Sequence, residues 1–320
     1  MLSRRHLRIK VLQSLYAYFQ TPGGEVSKEE KKLLSSIDSI YDLYIYLLSA
    51  ILELRDFAWN RQEEARQKHL PTPEELNPNT RFVDNRFLSQ FEKNRDLKRH
   101  ISRLKIFWAD HQEIFRKIFL NFRDSEVYAK YMSAPSVSYS DDREILLFLL
   151  ADFMLANEAF VSIFEERNIY WADDIDTAAS LVAKTFRKWT PAMDEFTALP
   201  PLIVTPDEEG DDLIRDFVLK LFRNTIKESE KSGALISERA QNWDLDRIAV
   251  MDVIILKMAI CEFTGFPSIP VKVTINEYIE IAKEYSTPRS RQFVNGMMDK
   301  LVEDMRVDGA IKKSGRGLLE

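Results

Sequence analysis

The sequence predicts an all-α protein, and three observations carry that reading. Only nine of 320 residues are glycine, while Leu, Ile, Glu, Lys and Arg abound, a composition that favours helices joined by polar loops. Apolar residues recur at three- and four-residue spacing behind capping residues along most of the chain. The best strand candidates, residues 202–205 and 271–273, are too short to found a sheet.

Residues 3–20 read as the first helix, with Ser3 as N-cap and Ile9, Leu12, Tyr16 and Phe19 at helical spacing. Thr21-Pro22-Gly23-Gly24 stops it. Ser27 and Glu30 fit a capping box for a long helical region reaching His69, striped by Leu33, Ile37, Ile40, Tyr44, Leu47, Ile51 and Leu54. Three prolines make residues 70–80 a loop. Helical pattern returns over 85–131, 141–167 and 177–189. An acidic, proline-bearing stretch over 191–209 then reads as a linker or surface loop. Four helical segments follow, over 211–230, 246–263, 274–285 and 288–306. Asp244 or Asp246 caps the second, a Thr274/Glu277 capping box opens the third, and Thr287-Pro288 opens the fourth. Ile248, Met251, Ile255, Met258 and Ala259 line one face of the second; Ile275, Ile279 and Ala282 point inward from the third. Gly296 inside the last helix points to close helix packing, since glycine there costs about 1 kcal/mol relative to alanine. Residues 307–320 read as a flexible tail.

Charge is uneven. The chain is net −6, yet its first twenty residues carry Arg4, Arg5, Arg8 and Lys10 and no acid, a local footprint for a polyanion. A second basic stretch, 86–123, holds ten Arg/Lys against four Asp/Glu.

Signatures of catalysis are missing. There is no Gly-rich phosphate loop, no GxSxG and no HExxH. His6, His69, His100 and His111 lack the spacing of a ligand set, and Asp141, Asp142, Asp173, Asp174 and Asp176 suit helix starts. The single Cys261 excludes an internal disulfide and reads as a small core residue. No catalytic residue, metal or cofactor is expected. Without a secretory signal or a run of eighteen apolar residues, the expectation is a cytoplasmic protein that no membrane holds.

Four ordered blocks then resemble one family. They are Arg4-Arg5 with Val11-Leu12-Gln13-Ser14-Leu15-Tyr16, and Ile255-Leu256-Lys257-Met258-Ala259-Ile260-Cys261-Glu262-Phe263 behind Trp243-Asp244-Leu245-Asp246-Arg247. Val273-Thr274-Ile275-Asn276-Glu277 and Phe293-Val294-Asn295-Gly296-Met297-Met298-Asp299-Lys300 complete the set. Together they resemble the NusB transcription antitermination factors, over residues 3–20 and 211–306. The resemblance implies a NusB-like helical core of two small subdomains plus a large, mostly helical insertion. Residues 1–20 would give its first helix, 21–210 the insertion and acidic linker, and 211–306 the C-terminal core. It further implies binding of single-stranded boxA-type RNA from nascent rRNA, with the NusE small-subunit ribosomal protein and the transcription elongation complex as partners. The RNA contacts it implies are Arg4, Arg5, Arg8, Lys10, Tyr16, Arg289, Arg291, Gln292 and Phe293. Asn276, Glu277, Asn295 and Gly296 match structural motif positions. Gln292 stands where relatives often carry Lys, Arg289 where some carry Asp, and Lys257 where Arg is common. The alternative is a helical protein-interaction scaffold that has lost RNA binding. Members attached to an rRNA methyltransferase would need a Gly-rich cofactor loop and catalytic cysteines, and this chain has neither.

Overall fold

Ser3 accepts a hydrogen bond from the His6 amide and starts α1 (Arg4–Gln20), as its place before the apolar ladder predicts. In this computed structural model the described residues are 2–21, 23–201, 213–240, 248–288 and 290–319. Among them are fifteen α-helices and no strand. The chain divides into two units, one of Asp38–Leu202 and one of Leu2–Ile37 with Ile203–Glu320, so the boundary falls inside α2 (Val26–Arg66).

The first unit contains α2 from Asp38 onward and eight further α-helices. They are α3 (Pro73–Leu76), α4 (Arg86–Lys93), α5 (Arg95–Leu104), α6 (Gln112–Arg123), α7 (Glu126–Ser133), α8 (Tyr139–Phe148), α9 (Glu158–Arg167) and α10 (Ile175–Lys188), with a π-helical turn, Leu149–Met154, continuing α8. Its elements are shorter than the periodicity alone suggests because asparagines intervene. Asn85, Asn94 and Asn157 each accept a bond from the amide three residues on, so each starts a new helix. Residues 72–76, expected as loop, make one helical turn through a Thr72/Glu75 capping box. The core is aromatic: Phe87 meets Phe186 edge-on at 4.7 Å and Phe91 packs on Trp189 at 4.7 Å. The linker expectation for 191–209 lies partly outside the described residues; its first part returns to α5, where the Arg95 amide donates to the Glu195 carbonyl. No single described helix is long and apolar enough to cross a membrane. Tyr139–Met154 with Glu158–Arg167 passes only as a pair bent by 81°, and Ile145, Leu149, Phe160 and Phe164 of that pair are buried in this core.

The second unit gathers α1, the start of α2, α11 (Leu213–Lys227), α12 (Ser229–Arg239), α13 (Val250–Gly265), α14 (Val271–Tyr285) and α15 (Ser290–Val307). Helix α13 is its axis, packed by α1, α11, α12, α14 and α15. It is accordingly buried nearly all round, from Ile254 to Phe263, rather than on one face. Helix α12 lies mostly beyond residue 230, where the sequence pattern predicts no helix.

Several sequence expectations change here. Ser27 lies inside α2 and donates to Glu25 at 2.6 Å, so it makes no capping box with Glu30. The capping residues Asp244 and Asp246 lie outside the described residues. Helix α14 begins three residues early, after Pro270, so Thr274 is an interior residue and no Thr274/Glu277 box forms. Its inward face is Thr274, Tyr278, Ile281 and Ala282, whereas Ile275 and Ile279 are half-buried. The polar pair turns inward because a buried carboxylate waits for it. Gly296 is not required by packing: a Cβ added there meets nothing within 4 Å. Nor is the end of the chain loose. The Ser314 amide donates to the Pro267 carbonyl at 3.0 Å, and Lys313 Nζ donates to the Phe266 carbonyl at 3.1 Å. Gly317 is buried so tightly that a Cβ would sit 1.8 Å from the Pro267 oxygen.

Candidate nucleic-acid interface

Helix α1 does not present its four basic residues alike. Arg4 is exposed at the first turn, its guanidinium 5.7 Å from the Phe217 ring on α11. Arg5 is half exposed and makes a bidentate pair with Glu277, both bonds 3.0 Å, and that pairing raises its pKa. Tyr16 is 41% exposed. Eleven residues separate it from Arg5, which returns it to nearly the same helix face about 16 Å along the axis.

Arg8 and Lys10 are corrections. Each is 1% exposed, so neither can touch a ligand in solvent. Arg8 forks onto the Glu262 carboxylate of α13 at 2.8 and 2.7 Å. Glu262 is 0% exposed and also accepts from the Thr274 hydroxyl at 2.8 Å and the Tyr278 hydroxyl at 3.2 Å. Burial alone would lower the Arg8 pKa, but the bonds and charge of Glu262 reverse this and hold it raised. Burial, with Glu262 beside it, pushes the Tyr278 phenol well up. The arginine therefore ties α1 to α13; Arg4, Arg5 and Arg8 differ only in helical phase, so composition and charge do not tell them apart. Glu262, which sequence reasoning had not singled out, is the centre of this cluster.

At the start of α15 the pattern is mixed. Arg291 and Gln292 are exposed, Phe293 is 6% exposed and belongs to the core, and Arg289 lies outside the described residues. Phe293 is thus withdrawn as a stacking platform. Asn276 is exposed, and Asn295 donates to Asp299 at 3.4 Å along its own helix. Between the α1 start and Arg291 lies an acidic strip on α14. Glu277, Glu280 and Glu284 all act on Arg5, and Glu280 feels both Arg5 and Arg291. The two basic ends are therefore brought near one helix but separated by carboxylates.

The basic stretch of the first unit is largely neutralised where it stands. All six of its arginines are ion-paired: Arg86 with Asp142, Arg95 with Glu195, Arg99 with Asp96, Arg103 with Asp42, Arg116 with Glu113 and Arg123 with Asp124. Four of those acids lie outside residues 86–123, which is why the local count overstated the charge. Among the described residues, what this stretch leaves without an ion pair is its lysines.

At the start of α1 the chain shapes a cavity of about 510 Å³, lined by Arg4, Arg5, Arg316 and Glu277 and by the apolar Ile269, Pro270 and Val273. Arg316 and Phe217 were missed from sequence. The first sat in a segment read as a tail, and the second is one apolar residue among many in α11.

A sequence model of the NusB family matches residues 176–303, which leaves α1 outside the match. The transcription antitermination protein NusB of Salinibacter ruber is 44% identical over 126 residues, 39% of this chain and 78% of that protein. The protein of the same name from Chloroherpeton thalassium is 38% identical over 118 residues, 37% of this chain and 56% of the relative. That of Koribacter versatilis is 41% identical over 92 residues, 29% of this chain and 63% of the relative. No solved structure matches the chain.

Proposed function

The chain belongs to the NusB family, and from that premise we propose that it is a non-catalytic transcription antitermination factor. In this reading its second unit holds single-stranded boxA-type RNA of nascent rRNA, and the NusE ribosomal protein binds beside the RNA. The transcription elongation complex is the setting and the cytoplasm the compartment. The observation that carries it is the start of α1, where exposed Arg4 and half-exposed Arg5 rim an open cavity with exposed Tyr16 further along the helix. Arginines supply charge-assisted bonds to phosphates, and an exposed ring stacks an unpaired base. Arg291 and Gln292 extend the same surface, and Arg289 is retained as a proposed contact. Arg8, Lys10 and Phe293 are not.

The test is a titration of boxA-type RNA against a scrambled RNA, with and without NusE, across a salt series. Arg4→Ala with Arg5→Ala should flatten the dependence of log affinity on log salt by about 1.4, because each single-strand phosphate contact contributes roughly 0.7. An unchanged slope would refute the assignment. The acidic strip of Glu277, Glu280 and Glu284 favours a second reading, a scaffold that binds protein partners without RNA. NusE binding of full strength with no RNA affinity would select it.

A further inference from the structure

The segment after α15 is docked, and it carries basic residues to the α1 start. Its anchor is backbone: the Ser314 amide on the Pro267 carbonyl, and Gly317 against the Pro267 oxygen with no room for a side chain. Lys313, half-buried, donates to the carbonyls of Glu262 at 3.4 Å and Phe266 at 3.1 Å, which fixes the same segment over the α13–α14 connection. Arg316 then stands exposed on the rim shared with Arg4. Next to that cavity is a second, of about 560 Å³, which shares Leu319 with it and is lined by Lys272, Arg306, Lys312 and Lys313 and by no acid. Among the described residues Arg4, Arg316, Lys272 and Lys312 make no ion pair with a carboxylate.

We propose that this docked C-terminal segment is part of the RNA-binding surface: Arg316 grips the phosphate backbone with Arg4, and the strand continues over Lys272 and Lys312. The inference rests on the RNA-binding reading above. Charge decides the direction. A strand leaving Arg4 toward α15 would cross Glu277, Glu280 and Glu284, whereas the path over the tail passes Glu277 alone at the first cavity and then meets cations and no acid in the second. Arginine and lysine on a backbone track bind without reading sequence, so this stretch strengthens binding to boxA and scrambled RNA alike.

The experiment measures single-stranded RNA binding by the full chain over a salt series for the unsubstituted protein, Arg4→Ala, Arg316→Ala and Gly317→Ala. Arg116→Ala serves as a control in the first unit. Arg316→Ala should weaken binding roughly tenfold at low salt, as loss of one charged hydrogen-bonding group does. It should also flatten the salt slope by about 0.7. Gly317→Ala keeps Arg316 but displaces the segment, and should match that loss. Arg116→Ala should change nothing. If Arg4→Ala flattens the slope while Arg316→Ala leaves it unchanged, the tail proposal fails and the RNA-binding reading stands. If the unsubstituted protein shows no salt-dependent RNA binding, both fail. Arg316 is exposed and only its backbone carbonyl, which accepts from the Leu319 amide, is bonded, so its substitution keeps the test valid should Gly317→Ala not fold.

Discussion

Replacing Arg8 with methionine would leave Glu262 buried with only two hydroxyls for company, and the size of the damage follows from the structure. Removing one partner of a buried pair costs about 3–5 kcal/mol. The expected loss is therefore about 3–5 kcal/mol at pH 7. Adding Glu262→Gln should recover most of it, since the amide can still accept from Thr274 and Tyr278 without a charge to bury. Because the chain has two units, global unfolding need not be two-state. Cys261, the only cysteine, neighbours Glu262 and lies 5% exposed in the second unit, so thiol labelling in a urea series reports opening of that unit alone. A loss below about 1 kcal/mol, or no recovery on adding Glu262→Gln, would show that Arg8 is not the buried tie described.

Further outcomes are expected. Gly296→Ala should leave stability unchanged or raise it by up to about 1 kcal/mol, read by urea denaturation, because the site is helical and open. Burial pushes the Cys261 thiol up to about 12, so at pH 8 it should resist alkylation for hours in buffer and react fully in denaturant. Burial chiefly, with Arg103 and Arg99 against Asp96 and Asp42, lowers His100 below its usual 6.5. The unfolded chain then takes up a proton that the folded one resists, so the stability of the first unit should fall as pH drops below about 6.5. The fall in melting temperature between pH 7.5 and 5.5 should be smaller in His100→Gln.

What was legible in the sequence was what local rules control. Periodicity and a serine cap placed α1, the apolar stripe of α2 is buried from Leu33 to Leu54, and Cys261 lies in the core as its apolar neighbours implied. What was hidden depends on contacts between distant residues. The phase of α14 was misread because Thr274 and Tyr278 turn toward Glu262, and hydropathy ranks them below Ile275 and Ile279. Arg8 was read as a ligand contact because its partner lies 254 residues away. The charge of residues 86–123 looked free because four neutralising acids come from elsewhere in the unit. The tail looked mobile because its anchor is backbone, which side-chain composition does not display.

RNA contact by the second unit is tested by photo-cross-linking a boxA-type RNA carrying thiouridine to the full chain and mapping the attached peptides. Cross-links are expected at the start of α1, at 266–273 and at 314–319, all in the second unit. Cross-links confined to residues 86–123 would overturn RNA contact by the second unit.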